Sequence, residues 1–265
     1  MTEGFFIKNL EFNYKGHEFL FRADDIFIGK NMLVSVIGPN GSGKSTFLKL
    51  ISRHETEYNG EISLYKKNIK KINSLDFAKL CALLPQECGR GENYKVFDVA
   101  MMGRYPHRNS KNYNFKNEKE IVLDSLKQAG ALEFMNRNFS SLSGGEKKRV
   151  LIASVIAQDS DFLVLDEPSS SLDISGQGQI FSLLKKIKNK GKGVVVATHN
   201  INLASFFSDY IILFEKGKIL KQGTPLEVIN EKYLKQAYGQ NISIIDNPGL
   251  ENMKIVLPET RRGII

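Results

Sequence analysis

An apolar run, Met32 to Ile37, breaks into Gly38, Pro39, Asn40, Gly41, Ser42, Gly43, Lys44 and Ser45, after which Phe47, Leu48 and Ile51 mark one face of a helix reaching Arg53. The pattern G-x-x-x-x-G-K-S/T, set between a strand and a helix, narrows the possible folds more than any other feature of the chain. A buried strand must deliver a glycine loop to a helix N-terminus, where backbone N–H groups and the helix dipole favour an anion. Glycines suit this loop because a Cβ would block both the phosphate approach and the positive-φ conformations. Lys44 can then bridge the β- and γ-phosphates of a nucleotide, and the Ser45 hydroxyl can ligate Mg²⁺.

Other β-branched runs repeat this order. Asp161 to Asp166 ends in two acids, Gly193 to Thr198 ends at His199, and Tyr210 to Phe214 precedes a turn at Glu215 to Gly217. Uninterrupted apolar strands separated by helical segments predict a parallel sheet covered on both faces, an α/β fold. Asp166 and Glu167 therefore leave a strand's carboxyl end, the edge where open α/β sheets bind ligands. One carboxylate can hold Mg²⁺ through water while its neighbour accepts a proton from an attacking water. His199 emerges on the same edge and reads as a γ-phosphate contact. The remaining histidines, His17, His54 and His107, show no metal-ligand spacing.

Near the N-terminus, Leu10, Phe12 and Tyr14 alternate with polar residues, and Phe19 and Phe21 resume the alternation beyond Lys15 to His17, which predicts a hairpin. Glu87 to Ser160 carries little strand signal. Helical patterns at Val96 to Met102, Glu118 to Ala129 and Glu146 to Ala157 predict a helical lobe inserted into the sheet core, with residues 1–265 forming one domain. Ser143 and Glu146 fit a capping box at the start of the third helix. Gly144 and Gly145 within its first turn are poor helix formers, each costing up to about 1 kcal/mol relative to Ala. Bare N–H groups at a positive helix end are suited to a phosphate, but nothing in the chain obviously supplies one.

Composition excludes several classes. With 42% hydrophobic and 25% charged residues the chain is neither disordered nor a disulfide scaffold. Cys81 and Cys88 form no CxxC pair, which suits free thiols in a reducing compartment. The N-terminal residues show no signal-peptide pattern, and the apolar stretch Gly193 to Ser208 is too short and polar to span a bilayer. A net charge of +8 suits a negative partner surface without identifying it. The lysine clusters at Lys66 and Lys67, Lys70 and Lys71, and Lys185 to Lys192 read as solvated turns and helix faces.

Taken in order, these residues resemble the nucleotide-binding subunit of an ATP-binding cassette (ABC) transporter: Tyr14, the Walker A loop Gly38 to Thr46, Gln86, the signature Leu142 to Glu146, Walker B Leu163 to Asp166 with Glu167, a D-loop Ser171 to Asp173, and the switch His199. The resemblance implies a P-loop NTPase fold with a RecA-like parallel core, an N-terminal antiparallel β subdomain and a helical subdomain at about 87–160. It implies ATP and Mg²⁺ as cofactors and a head-to-tail homodimer. Each ATP would lie between Walker A of one protomer and Ser143, Gly144 and Gly145 of the other. Tyr14 would stack on adenine, Glu167 would be the general base, and Asp173 would sit at the dimer interface. Ser45, Gln86 and Asp166 would surround Mg²⁺, with Gln86 reporting nucleotide state to a membrane partner.

Val99 to His107 is similar to the G-R-Y/T-P-H stretch of importers for iron-siderophore, haem and cobalamin chelates, and the tail Tyr238 to Ser243 and Ile255 to Pro258 resembles their short terminal strands. The segment Asn109 to Lys119 matches no motif and reads as a solvated helix-entry loop. The resemblance implies an ATPase powering chelate import, peripheral on the cytoplasmic face of the inner membrane. Its partners would be integral-membrane permease subunits and, through them, a substrate-binding protein; no specific nucleic acid is expected. Import of zinc or manganese, or a soluble ABC role on nucleic acid or ribosomes, stands as the alternative. A GTPase is disfavoured because no N-K-x-D base-reading motif is present, and an exporter usually carries membrane helices in the same chain.

Overall fold

A computed structural model of the chain describes residues 3–16, 19–86, 93–108, 114–249 and 253–258. The expected turn residue His17, the thiol of Cys88 and positions 109–113 of the unmatched segment lie outside these ranges.

The expected N-terminal hairpin is present: β1 (Gly4–Asn13) pairs antiparallel with β2 (Leu20–Ala23), with Phe12 opposite Phe21. β1 also pairs with β3 (Ile26–Gly29), so it is longer and more central than alternation alone predicted. β4 (Leu33–Ile37) then runs into the glycine loop and α1 (Lys44–Ile51). β5 (Asn59–Leu64) returns to the far side of β1, followed by the short β6 (Lys67–Asn68), α2 (Ser74–Leu80) and β7 (Cys81–Leu84).

After β7 come α3 (Val96–Met102), α4 (Phe115–Gln128) and α5 (Gly144–Ala157). The α4 helix begins three residues before the expected Glu118, because the Asn114 side chain accepts from Lys116 N–H and caps the end. Strands and helices then alternate through β8 (Phe162–Asp166), α6 (Ile174–Asn189), β9 (Gly193–Ala197), α7 (Ile201–Phe207) and β10 (Tyr210–Glu215). The chain closes with β11 (Lys218–Gly223), α8 (Pro225–Val228), α9 (Glu231–Tyr238) and a hairpin of β12 (Ile242–Asp246) and β13 (Lys254–Pro258).

Among the described residues one sheet holds eleven strands, and its order β10-β4-β9-β8-β7 is parallel throughout. Every residue of β4, β8 and β9 is buried, so this core is covered on both faces as the apolar runs predicted. Val34, Val36, Val164 and Val195 face α1 and the antiparallel lobe, whereas Leu163, Leu165, Val194 and Val196 face α5 and α6. The helices α3 to α5 share this second cluster with β7 and β8. None of the helices among the described residues is long and apolar enough to cross a membrane.

Candidate nucleotide site

Parallel strands end on the same side, so β4, β7, β8 and β9 present the glycine loop, Gln86, Asp166 with Glu167, and His199 at one edge of the sheet. A cleft of about 370 Å³ there is lined by Tyr14, Phe19, Asn40 to Thr46, Gln86, Glu167 and His199. Phe19 also lines this cleft, a role that its place in a strand alternation does not reveal. Gly38 (φ 151°), Gly41 (φ 74°) and Gly43 (φ 106°) all take positive φ. A Cβ at Gly38 would lie 2.4 Å from the Phe214 carbonyl oxygen, and one at Gly43 would lie 2.8 Å from the Phe21 ring.

The Lys44 ammonium is buried and donates to the carbonyls of Gly38 at 2.8 Å and Pro39 at 3.0 Å, which holds it over the loop. Burial lowers its pKa, opposed by the charges of Glu167 and Asp166. Thr46 in the first turn of α1 has its hydroxyl 3.5 Å from the Tyr14 hydroxyl. Tyr14 also meets Phe12 edge to face, so its ring stands at the cleft wall.

Asp166 and Glu167 are adjacent in sequence but differ in surroundings. Asp166 is 5% exposed, and its Oδ1 has no hydrogen-bond partner among the described residues. Burial raises its pKa, offset in part by a hydrogen bond from Ser45. Glu167 takes φ 48°, an uncommon conformation for a non-glycine residue, while its N–H donates to the Ala197 carbonyl at 3.0 Å. The backbone thereby turns at the strand end and aims the Glu167 carboxylate at His199 Nε2, with which it is in direct contact. His199 remains 46% exposed in its side chain, so it can reach a ligand as well as Glu167.

A second opening beside α1 is lined by Ser45, Gln86 and Asp166. An unpartnered buried carboxylate oxygen beside a serine hydroxyl and a glutamine amide makes an oxygen donor set that fits Mg²⁺. Groups of three or more His, Cys, Asp or Glu able to hold a metal are absent among the described residues, so the fit depends on these mixed donors. Lys148 on α5 is buried nearby, donates to the Gln86 carbonyl at 3.4 Å and adds positive charge toward Asp166. No sequence pattern pointed to Lys148, since it stands one turn into a helix far along the chain.

The signature residues do not line the glycine-loop cleft. Ser143 is the N-cap of α5, and both bonds of the expected capping box are made: Glu146 N–H to the Ser143 hydroxyl at 3.3 Å, and Ser143 N–H to the Glu146 carboxylate at 2.7 Å. Those bonds lower the Glu146 pKa. Gly144 and Ser143 are exposed. A Cβ at Gly145 would lie 2.9 Å from Leu172 Cδ2, the end of a side chain that can turn aside, so packing alone does not require glycine there. Asp173 caps α6, its carboxylate accepting from Gly176 N–H at 2.7 Å.

The stretch from Gly103 to His107 locks α3 to the far end of α5. A Cβ at Gly103 would lie 2.1 Å from the Ser154 carbonyl oxygen. Arg104 forms a buried ion pair with Glu118 and donates to the Ala157 carbonyl at 2.6 Å, and His107 Nε2 meets the Gln158 carbonyl at 2.8 Å.

The chain is similar to known proteins over most of its length. Residues 24–170 match the family described as ABC transporter. The chain is 36% identical over 225 residues to an iron(3+)-hydroxamate import ATP-binding protein of Bacillus subtilis, covering 84% of each chain. It is 32% identical to a hemin import ATP-binding protein of Escherichia coli O157:H7, over 94% of this chain and 98% of the other. A solved metal-chelate type ABC transporter in an inward-facing conformation superposes with a TM-score of 0.83 at 25% identity, covering 98% of both chains. A dimeric ABC transporter cassette superposes with a TM-score of 0.74 at 26% identity, over 83% of this chain and 98% of the other.

Proposed function

The chain belongs to the ABC transporter family, and on that premise we propose that its 265 residues form one ATPase cassette powering a membrane importer of iron chelates such as ferric siderophores or haem. It is an ATP-binding and ATP-hydrolysing subunit of the family's import type. The observation that carries the residue assignments is the convergence of Lys44, Glu167 and His199 on one cleft that Ser143, Gly144 and Gly145 do not line. A site split in this way is completed by a second copy of the chain, consistent with the dimeric cassette it resembles.

In this reading Tyr14 stacks on the adenine, and the loop from Gly38 to Thr46 wraps the phosphates with its N–H groups, in which Pro39 contributes none. Lys44 turns from the loop carbonyls to the β- and γ-phosphates. The hydroxyl of Ser45, the Asp166 carboxylate and the Gln86 amide would hold Mg²⁺, which when bound neutralises charge on the β- and γ-phosphate oxygens. Glu167 accepts the proton of the attacking water, and His199, oriented by Glu167, hydrogen-bonds the γ-phosphate. The partner's Ser143, Gly144 and Gly145 present a positive helix end to the same phosphate.

Permease subunits, and a substrate-binding protein acting through them, supply the pathway and the cargo. The subunit works at the cytoplasmic face of the inner membrane. Replacing Glu167 by Gln tests the central role: ATP binding should persist, turnover should fall by at least about a hundredfold, and an ATP-locked dimer should accumulate on size exclusion. Turnover at the parent rate in that variant removes Glu167 from the mechanism. For the cargo, a deletion strain should fail to grow on individual siderophores or haem as sole iron source. Loss of zinc or manganese uptake with intact iron uptake would refute the chelate reading.

A further inference from the structure

His199 and the turn from Ser171 to Asp173 follow different strands, and a side chain outside both motifs joins them. Gln177 closes the first turn of α6. Its Oε1 accepts from Asn200 Nδ2 at 3.0 Å, and its Nε2 donates to the Leu172 carbonyl at 3.2 Å. Asn200 directly follows His199 and caps α7, where its Oδ1 accepts from Leu203 N–H at 3.0 Å and its own N–H donates to the Thr198 hydroxyl at 3.1 Å. With the Asn200 oxygen used by the cap, only its NH₂ is left to face Gln177. The Gln177 acceptor must therefore point to Asn200 and its donor to Leu172, a task that requires an amide.

Leu172 lies beside two glycines. Its Cδ2 lies 2.9 Å from the position of a Cβ at Gly145, and its own Cβ lies 3.1 Å from one at Gly176. Two hydrogen bonds thus run from the loop beside the γ-phosphate contact through Gln177 to Leu172, whose side chain lies beside the first turn of the signature helix. Gln177 also shares the walls of a cleft of about 580 Å³ with Glu167, His199 and Asn200.

We propose that Gln177 is a positioning residue that keeps the His199 loop and the Leu172 turn in one register. The γ-phosphate contact of a protomer's own site then moves together with the Gly144 and Gly145 end that it offers to its partner's nucleotide. The inference rests on the nucleotide-site reading above. A glutamine that merely satisfies two loops would affect stability alone, whereas a register-keeping one affects turnover without affecting ATP binding.

The test uses the full chain with its membrane partner. Gln177→Met keeps the length of the side chain and removes both bonds, and Asn200→Ser keeps a helix-capping oxygen and removes the donor. Gln177→Met should lower kcat by about tenfold, the scale of losing one to two hydrogen bonds. Its KM and ATP Kd should stay within about twofold of the parent. Asn200→Ser should show the same kcat-against-KM split, and the double variant should be no slower than Gln177→Met. Multiplying losses in the double variant, or a kcat loss matched by weaker ATP binding, would overturn the proposal. Glu167→Gln run alongside separates the two readings. Parent turnover there removes the nucleotide-site assignment, whereas blocked turnover there with parent turnover in Gln177→Met removes the relay alone.

Discussion

Individual residues in this protein are constrained by how closely backbone approaches backbone. Gly38 and Gly41 both sit in the loop with positive φ, but only Gly38 is enclosed, with Phe214 O and Ser42 Oγ within 2.5 Å of a built Cβ. Gly38→Ala is therefore expected to cost about 1–3 kcal/mol by overpacking, plus about 1–2 kcal/mol for the backbone, and to abolish nucleotide binding. Gly41→Ala should cost only the backbone part. Denaturant titration and nucleotide titration of the two variants check this, and equal costs would defeat the argument. The glycine pattern was legible in the sequence because a phosphate loop tolerates few other residues. The left-handed backbone of Glu167 was not, since a glutamate in that conformation leaves no mark in residue type.

Elements are fastened by contacts between distant segments. The α5 helix is held at its start by the Ser143 and Glu146 capping box, four residues that a sequence reader can see together. Its end is held by Arg104, which ties the Ala157 carbonyl to Glu118 through a buried ion pair. The G-R-Y-P-H stretch could be identified by resemblance, but its structural task could not, because its partners lie 14 and 53 residues away. Arg104→Met should destabilise the protein by about 3–5 kcal/mol, because it leaves Glu118 buried without a counter-charge. Thermal or denaturant unfolding measures this. A loss below about 1 kcal/mol, the range of a surface pair, would mean that the pair is solvated. Strand β7 is not legible in the sequence for a related reason: Cys81 to Leu84 is a four-residue run whose identity comes from its parallel pairing with β8.

At the scale of the whole molecule, the consequence of the proposed split site is that neither protomer should hydrolyse ATP with parts of its own. A chain carrying Lys44→Ala has a defective phosphate loop and an intact signature. One carrying Ser143→Arg has the reverse. Each should be inactive alone, and mixing the two should restore ATPase activity through the one composite site that escapes both lesions. If mixing restores nothing while each variant remains folded, the site is complete within a single chain. The net charge of +8 did not distinguish among anionic partners, and it took the ordered motifs and the family match to single out a transporter.

The sequence by itself determined the parallel core, the glycine loop, the pair of acids and the histidine at the same strand edge. In those places short-range chemistry, such as a glycine turn, a buried apolar run or a capping box, requires particular residue types at fixed spacing. Only the tertiary structure decided that Asp166 keeps an unpartnered oxygen beside Ser45 while Glu167 turns to His199, and that Gln177 joins two loops. These outcomes depend on burial and on hydrogen bonds between segments distant in the chain. Such interactions have no fixed spacing, so no local pattern could have announced them.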